Sequence, residues 1–286
     1  MRILFLTPAP DYPETWDWAF VPQSRPLIAR GATVDACAWS DAADLSSYTL
    51  ILPLICWGYH LRPAEWHAFL DRLEAERLPV VNPPALLRWN SDKAYLAELI
   101  AKGVTTVPTI AVECCSDGDL DKARASFGSG EVVVKPPVSA GADGTYRLRA
   151  DDGLPADLIG RRVIIQPMID SVVSKGEYSL LLLDGVLSHA VIKRPKPGDF
   201  RVQPHLGGST EACAPPPGGE ALAKAALAAA PTHATYARID MVEGPDGQLM
   251  IMEMELVEPA LFLAEAPHGE AAFVDAIVSA AQRSRK

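Results

Sequence analysis

An acidic hairpin near the end of the chain carries residue types that suit a metal site. Residues 237–259 contain two apolar, β-prone runs around Gly-Pro-Asp-Gly at 244–247, and this composition predicts two strands joined by a turn. Glu253 and Glu255 stand two residues apart in the second strand. Because side chains alternate along a strand, both carboxylates leave the same face.

The expected strand pairing brings a third carboxylate to that face. A turn centred on residues 245–246 pairs residue 240 with residue 251. Asp240 then lies diagonally across from Glu253. Three carboxylates between apolar rows repel one another unless a cation sits among them, and hard oxygen ligands of this kind suit Mg²⁺ held on substrate phosphates. Taken alone, the hairpin is equally compatible with an amphipathic ribbon whose acidic face is solvated.

Two lysines upstream occupy positions from which an ammonium group can reach a phosphate. Lys93 begins a helix predicted over residues 93–102, after capping residues at 90–92. Lys135 ends a valine-rich strand and precedes the small loop SAGADGT at 139–145, whose backbone N–H groups can cradle a phosphate. The alternative is a solvated charge for each lysine and an ordinary hairpin turn for the loop.

Polar residues between the lysines and the hairpin suit the rest of a nucleotide. Gln166 lies in the apolar run at 163–169, where an amide suits an adenine edge, although a structural glutamine is the alternative. Glu177 can accept ribose hydroxyls or simply be exposed. Lys193 and Arg201 form a second basic pair across a Pro/Gly loop, and the Arg201 guanidinium can hold a phosphate or carboxylate through paired hydrogen bonds.

The beginning of the chain predicts an α/β lobe with a parallel sheet. Strands and helical segments alternate, at residues 2–6, 26–30, 33–39, 49–54, 63–77 and 79–82. No GxGxxG motif follows the first strand, so a dinucleotide site is not supported. Aromatic-rich segments at 9–25, which predict a loop or the start of a helix, and at 57–60 follow the first and third strands, where an open α/β sheet carries ligands. Packing between lobes is the alternative role for these aromatic residues.

The remainder of the chain predicts mixed α+β structure without internal repeats. Strands are expected at 108–112, 131–137, 146–148, 163–169, 178–183 and 186–192, and helices from residue 120, at 220–230 and at 271–283. The breaks between these segments divide the chain into three expected domains, at 1–84, 85–167 and 168–286.

Composition argues against several functional classes. The formal net charge of −10 disfavours a general binder of nucleic acid or of membrane surfaces, since both need basic patches. Five cysteines without CxxC spacing predict free thiols in a reducing cytoplasm. The apolar run at 3–6 is too short for a signal peptide or a membrane span. The six histidines are scattered, which disfavours a zinc site.

The order of these signals resembles the ATP-grasp superfamily, in particular the branch of glutathione synthetase and ribosomal-protein glutamate ligase. The resemblance covers about residues 83–263, and the preceding lobe is similar to the N-terminal domain of that branch. It is carried by the segments VVVKPPVSAGADGT (132–145), KRPKPGDFRVQPHLGGS (193–209), ARIDMVEG (237–244) and LMIMEMELVEP (249–259). The C-terminal motifs also resemble those of D-cycloserine synthetases, which are ring-forming ligases.

The resemblance implies a fold and a set of residue roles. The expected fold is an N-terminal parallel-sheet lobe followed by two α+β subdomains that clasp ATP. The implied roles are phosphate binding by Lys93 and Lys135 under a closing loop that includes Ser139 and Gly141, adenine binding by Gln166, Met168 and Ile169, ribose binding by Glu177, stabilisation of the transferred phosphoryl group by Lys193 and Arg201, and binding of two Mg²⁺ ions, or Mn²⁺ in their place, by Asp240, Glu253 and Glu255.

The chain departs from the family pattern at two points. Glu255 stands where many relatives have asparagine, which keeps an oxygen ligand but adds a charge. The loop at 139–145 is less rich in glycine than the corresponding loop of many relatives, which disfavours closure of the loop.

The reaction that the resemblance implies is ATP-dependent ligation of a carboxylate to an amine through an acyl phosphate. Such chemistry needs mainly positioning and charge neutralisation, which lysines, arginine and Mg²⁺ supply. The expected partners are a small acid and an amine, with a homodimer as a common state in this branch. Two alternatives are a ring-forming ligase that acts within one substrate and a nucleotide-binding relative that no longer ligates.

Overall fold

The structure is a computed structural model that describes residues 1–266 and 268–284. The strands form three sheets: a parallel sheet of three strands and two antiparallel sheets of five and four strands. The predicted α/β lobe followed by α+β structure is therefore confirmed. Within the described residues, every helix is too short or too polar to span a membrane.

The first lobe is built on a strand with an uninterrupted apolar run. Its elements are β1 (Arg2–Thr7), α1 (Asp17–Ala29), β2 (Thr33–Ala38), β3 (Leu50–Leu52) and α2 (Pro63–Ala75). β1 lies between β2 and β3 and pairs with both in parallel, which leaves all three carboxyl ends at one edge of the sheet. That edge is where the two aromatic-rich segments begin.

Two details of this lobe differ from the prediction. α1 is longer than the helix predicted at 26–30, because it begins at Asp17, within the segment that predicted either a loop or the start of a helix. Its aromatic residues pack the helix onto the sheet, and Phe20 meets Phe5 edge-on with ring centroids 5.4 Å apart. The predicted fourth strand at 79–82 is wrong in extent, since only Val80 forms a bridge to β3. The prolines that flank this segment lack the N–H groups needed to extend the ladder.

Two short helices, α3 (Pro84–Asn90) and α4 (Tyr95–Ala101), connect the first lobe to the next. The sequence prediction missed α3 and assigned residues 90–92 as helix caps. Of these three residues, Asp92 accepts a hydrogen bond from the backbone N–H of Ala94 at 2.9 Å. Lys93 therefore lies in the turn before α4, not within a helix.

The second sheet belongs to the central part of the chain. Its elements are β4 (Ile110–Val112), α5 (Asp117–Phe127), β5 (Val132–Lys135), β6 (Tyr146–Leu148) and β7 (Val163–Pro167), and the strand order is β4-β7-β5-β6. α5 starts at a capping box in which Ser116 and Asp119 satisfy each other's backbone N–H groups. The loop SAGADGT joins β5 to β6.

The third sheet lies in the C-terminal part of the chain. The elements are α6 (Ser171–Ser174), β8 (Glu177–Leu183), β9 (Val186–Arg194), β10 (Ser209–Cys213), α7 (Gly219–Ala229), β11 (Tyr236–Glu243), β12 (Leu249–Glu255) and α8 (Gly269–Arg283). The strand order is β10-β9-β8-β11-β12, and every neighbouring pair is antiparallel. β10 was not predicted, because its sequence STEAC is short and largely polar.

The first and third sheets share one hydrophobic core. Phe5 and Leu52 of the first lobe pack in the same cluster as Leu181, Tyr236 and Phe273 of the C-terminal part. The four-stranded sheet packs with α5 in a separate core, while Ile164 of β7 packs in a cluster with Leu180 and Ile251 of the C-terminal sheet. The division of the chain at residues 84 and 167 stays a prediction.

Candidate active site

The acidic hairpin forms, but its register differs from the predicted one. A β-bulge shifts the pairing between Asp240 and Met241, so that residue 251 pairs with Met241 and not with residue 240. Asp240 therefore lies directly opposite Glu253. Because a bulge inserts an extra residue into one strand, it changes which side chains meet across the ladder. Here it brings two of the three predicted metal ligands face to face.

Arg238 is a site residue that the sequence analysis did not identify. It lies opposite Glu255 in the register and is almost fully buried. Its guanidinium donates hydrogen bonds to both oxygens of Asp240, at 2.9 to 3.2 Å, and forms an ion pair with Glu255. The signal was present in the sequence, because Arg238 and Asp240 stand two residues apart on a strand and must share a face.

Asp240 is held as an ionised carboxylate. Ser179 donates a hydrogen bond to it at 2.5 Å, and the Lys193 ammonium lies 3.1 Å away. Burial opposes the charge, but Arg238 and Lys193 outweigh burial and hold the pKa of Asp240 well below its usual range. Glu255 differs, since burial raises its pKa to about 7 despite the neighbouring Arg238.

Lys193 connects Asp240 to Glu177. Glu177 lies opposite Lys193 in the pairing of β8 and β9, with carboxylate and ammonium 2.5 Å apart. Both side chains are buried, so Glu177 is not the exposed residue of the alternative interpretation. Burial opposes the Lys193 charge, but the two carboxylates outweigh it and raise the pKa of Lys193. The ribose role of Glu177 stays a prediction.

Lys93 connects the hairpin to the small loop. Its ammonium forms an ion pair with Glu253 at 3.1 Å and donates a hydrogen bond to the backbone carbonyl of Ser139. Its backbone N–H bonds to the Pro137 carbonyl at 2.8 Å. Burial opposes the charge of Glu253, but Lys93 and then Lys135 lower its pKa below the usual value. Glu253 is thus ionised, like Asp240.

Lys135 is a buried cation without a counterion in direct contact. Its side chain ends β5 and is only 8% exposed. Within residues 1–266 and 268–284 it makes no side-chain hydrogen bond or ion pair, and burial lowers its pKa. A desolvated ammonium of this kind is costly unless an anion accompanies it. The solvated lysine of the alternative interpretation is excluded.

The predicted adenine contacts are already engaged with the protein. The Gln166 amide donates to the Thr109 hydroxyl at 2.9 Å, and the Met168 N–H bonds to the Glu131 carbonyl at 3.0 Å. Ile169 is buried in a core cluster with Val107. Their assignment to adenine stays a prediction.

Arg201 is the predicted residue that does not join the buried charges. It is half-exposed on the loop between β9 and β10, where its guanidinium pairs with Asp199 at 2.9 Å. Hydrogen bonds from Arg201 hold the pKa of Asp199 well below its usual range. The role of Arg201 in phosphoryl transfer stays a prediction.

The outer edge of β12 is held by side chains from the connecting helices. Asn90 donates to the Met254 carbonyl at 2.9 Å and accepts from the Leu256 N–H at 2.7 Å. The Tyr95 hydroxyl bonds to the backbone of Met254, and the Asn82 amide donates to the Leu256 carbonyl at 2.8 Å. These bonds replace a neighbouring strand and fix the backbone on either side of Glu255.

The donor chemistry fits Mg²⁺ and nucleotide phosphates. Asp240 and Glu253 are ionised carboxylates directly opposite each other, and hard oxygen donors of this kind are what Mg²⁺ prefers. Lys135 supplies a cation that lacks an anion. The described residues hold no ready-made group of three or more His, Cys, Asp or Glu ligands, so the number of ions and the part of Glu255 stay predictions.

The sequence of the chain is similar to those of known proteins. Residues 3–82 match the family model described as the N-terminal domain of D-cycloserine synthetase DcsG. Over 267 residues the chain is 33% identical to the cycloserine biosynthesis protein DcsG of Streptomyces lavendulae, an alignment that covers 86% of this chain and 88% of the relative.

Solved structures agree with the sequence comparison. The crystal structure of D-cycloserine synthetase DcsG superposes with a TM-score of 0.86 at 31% identity, over 99% of this chain and 100% of that one. A D-alanine–D-alanine ligase from Bacillus anthracis complexed with ATP superposes with a TM-score of 0.70 at 18% identity, over 100% of this chain and 98% of that one. At that identity the second match concerns the fold alone.

Proposed function

This chain belongs to the DcsG family of ATP-grasp ligases, and from that membership we propose that it activates the carboxylate of a small amino-acid-like substrate for attack by an amine nitrogen. It is an ATP-dependent ligase that forms carbon–nitrogen bonds. ATP is its co-substrate and Mg²⁺ its metal. The observation that carries the substrate proposal is a buried cation without a direct counterion, Lys135, in the same cleft as the ionised carboxylates of Asp240 and Glu253.

The proposed reaction has two steps. The substrate carboxylate attacks the γ-phosphorus of ATP, the bond to the β,γ-bridging oxygen breaks, and ADP leaves. The amine nitrogen then attacks the acyl carbon, the carbon–oxygen bond to phosphate breaks, and the nitrogen loses a proton. Lys93 and Lys135 hold the phosphate charge in place while both steps occur. Arg201 reaches the transferred group only if it leaves Asp199.

Asp240 and Glu253 are the proposed holders of Mg²⁺. The metal neutralises charge on phosphate oxygens, and both carboxylates stay ionised to bind it. Two ions, Glu255 as a further ligand and Mn²⁺ as a substitute belong to the same proposal. The proposal also includes contacts to the nucleotide from Ser139, Gly141, Gln166, Met168, Ile169 and Glu177.

The wider setting is also a proposal. The five free cysteines support a reducing, cytoplasmic environment. The acidic net charge supports a small-molecule substrate and no nucleic-acid partner. A homodimer belongs to the same proposal.

Substitution of one metal ligand tests the ligase mechanism. Glu253→Gln keeps the shape of the side chain but removes the charge, so we expect ADP formation to be abolished while the thermal unfolding curve is retained. Glu211→Gln is the matched control. It makes the same chemical change on β10, where Glu211 forms an exposed ion pair with Arg194 of β9. Wild-type ADP formation by Glu253→Gln would remove this residue from the metal site.

Ring closure within one substrate is the second candidate, and the match of residues 3–82 to the DcsG N-terminal domain favours it. That lobe presents the ligand edge of the parallel sheet, where substrate choice is expected. Opening the ring amide of D-cycloserine with water yields β-aminooxy-D-alanine, which holds a carboxylate and a nucleophilic nitrogen in one molecule.

Incubation with this amino acid as the sole substrate separates the two candidates. A ring-forming ligase releases ADP and cyclic product in equal amounts without an added amine. If ADP appears only after a second amine is supplied, the ligation is intermolecular.

A further inference from the structure

Glu258 is a half-buried carboxylate that the charge pairs of the active site leave out. It follows β12 by three residues, at the junction of the C-terminal hairpin with the first lobe. None of the hydrogen bonds or ion pairs between described residues involves its side chain. A carboxylate in such a position is expected to have a partner, because a partly desolvated charge is unfavourable alone.

The backbone around Glu258 is rigidly held. The Tyr236 hydroxyl donates a hydrogen bond to the Val257 carbonyl at 2.9 Å. Val257 is buried in the core of the first lobe together with Leu6 and Cys56. The Glu258 side chain therefore starts from a fixed point and is partly open to solvent, as a group that receives a ligand needs to be.

The surroundings of Glu258 are the ligand edge of the parallel sheet. Tyr59, after β3, packs in the same core cluster as Val257, the residue before Glu258. Burial and then nearby carboxylates, Glu258 among them, raise the pKa of Tyr59 and of Tyr12, which follows β1. Gly58 leaves room for the Tyr12 ring, because a Cβ added there would lie 2.7 Å from it. Carboxyl ends of parallel strands are where open α/β sheets bind ligands.

Charge pairing in the cleft leaves two groups over. Lys93, Lys193 and Arg238 are all paired with carboxylates, in the contacts Lys93–Glu253, Lys193–Glu177, Lys193–Asp240, Arg238–Asp240 and Arg238–Glu255. Among the described charges of this cleft that are buried or half-buried, Lys135 and Glu258 have no such contact, whereas the unpaired Asp143 of the small loop is exposed. A bound anion at Lys135 and a bound cation at Glu258 would give each of these two groups a partner of opposite charge.

We propose that Glu258 binds the ammonium group of the amino-acid substrate and so selects substrates that carry an amine beside the activated carboxylate. This inference rests on the proposed function, in which the phosphate of ATP accompanies Lys135. Glu258 is then a substrate-binding residue and takes no part in phosphoryl transfer.

An ammonium suits this position better than a second metal ion does. One carboxylate is enough to bind an ammonium group, whereas Mg²⁺ needs several oxygen ligands. The nearest carboxylate along the chain, Glu255, is already paired with Arg238. Burial and the repulsion of Glu255 raise the pKa of Glu258 to about 8, so a cationic ligand gains by restoring its charge.

The test compares two ligands that differ only in the amine. β-Aminooxy-D-alanine carries the ammonium, and 3-aminooxypropionate has the same carboxylate and the same nucleophilic nitrogen without it. Calorimetry on the full-length chain without nucleotide gives both dissociation constants independently of turnover. We expect the wild type to favour the amino compound by about tenfold to a hundredfold, the range of a charged hydrogen bond. Glu258→Gln is expected to bind both compounds about equally.

Glu14→Gln is the matched control. Glu14 is an exposed carboxylate whose charge also acts on Tyr12, so the same substitution there changes the local charge without touching the proposed contact. The preference for the amino compound should survive in this variant. Thermal unfolding of each variant confirms that both are folded.

Three results would overturn the inference. They are the absence of any preference in the wild type, a preference that survives Glu258→Gln, and a Glu258→Gln variant that changes only the Mg²⁺ requirement of ADP formation. If the preference is lost in Glu258→Gln but the wild type forms no ADP with β-aminooxy-D-alanine, the proposed reaction fails while the ammonium site stands.

Discussion

Lys135 shows how a single residue can favour function at the expense of stability. Its ammonium is buried without a direct counterion, so the nucleotide-free protein bears a desolvation cost. We expect Lys135→Met, which keeps the volume and removes the charge, to raise the free energy of unfolding by about 1 kcal/mol. The affinity for ATP should fall by at least about tenfold, since a charged hydrogen bond is lost.

Chemical denaturation and nucleotide titration measure the two effects. Lys175→Met is the control, because Lys175 is half-exposed and paired with Glu243 at the surface. That change should leave ATP affinity intact. A Lys135→Met protein that is less stable than the wild type would show that Lys135 is structurally compensated.

At the residue scale, the sequence predicted side-chain types better than their partners. Asp240, Glu253, Lys93 and Lys193 meet in one buried cluster, as their order along the chain suggested. Arg238 was missed even though alternation along the strand places it beside Asp240. The direct meeting of Asp240 and Glu253 depends on a β-bulge, which no local pattern in the hairpin announces. Residue types therefore limit the chemistry, whereas register decides the contacts.

At the scale of elements, the end of β12 depends on side chains to cover its free edge, whereas Ile251 in its middle pairs with the backbone of residues 105 and 107. Asn90 satisfies the carbonyl of Met254 and the N–H of Leu256, on either side of Glu255. We expect Asn90→Ala to lower the free energy of unfolding by about 2–4 kcal/mol, because two buried backbone groups lose their partners. ADP formation should fall as well, since the acidic strand loses its position.

Hydrogen exchange at the Leu256 amide identifies the cause. Exchange there should accelerate more than at amides in the middle of β11. Gln282→Ala, at an exposed position of α8, serves as a control for loss of a surface amide. Unchanged protection of Leu256 in Asn90→Ala would mean that another group replaces the asparagine.

A second element contact gives stability a defined pH dependence. Asp184, in the turn between β8 and β9, accepts two hydrogen bonds from Arg283 of α8, both at 2.9 Å, and one from His233 at 2.7 Å. Burial opposes its charge, but these bonds outweigh burial and lower the pKa of Asp184. The lowered pKa means that the stabilisation is present above the usual aspartate range and is lost as pH falls through the folded-state pKa.

Asp184→Asn tests this dependence. We expect the variant to be about 1 kcal/mol less stable near neutral pH, with the difference shrinking below about pH 4. Denaturation curves across that range measure it. Asp275→Asn changes an exposed aspartate of α8, the helix that carries Arg283, and the stability of this variant should show no such dependence on pH. If the difference in the free energy of unfolding stays constant down to pH 2, the stabilisation does not come from the charge of Asp184.

Elements with strong local patterns were predicted well, and those stabilised by distant contacts were not. The apolar runs of β1, β7 and β8 gave strands within two residues of their predicted bounds. α3 and β10 were missed because their segments are short and their order comes from packing and from the neighbouring strand β9. The bridge at Val80 is a similar case, since only β3 supports it.

At the scale of the whole molecule, the distribution of cores suggests which part moves. The first lobe and the C-terminal sheet share a core, whereas the four-stranded sheet packs mainly with α5 and reaches the C-terminal sheet through Ile164 of β7. The two parts of the cleft meet at loops, where a Cβ on Gly141 would lie 3.7 Å from the His205 ring. We therefore expect the central sheet and its SAGADGT loop to close over the nucleotide against a rigid remainder.

Hydrogen exchange with and without a non-hydrolysable ATP analogue and Mg²⁺ measures this closure. Residues 136–145 and 198–208 should gain protection, by up to about a hundredfold when the analogue is present at about 100 times its dissociation constant. Amides of α8, within the shared core, provide the internal reference and should change little. Closure requires both loops to respond together, because each forms one side of the contact. Protection confined to one of them would indicate nucleotide binding without closure of the central sheet.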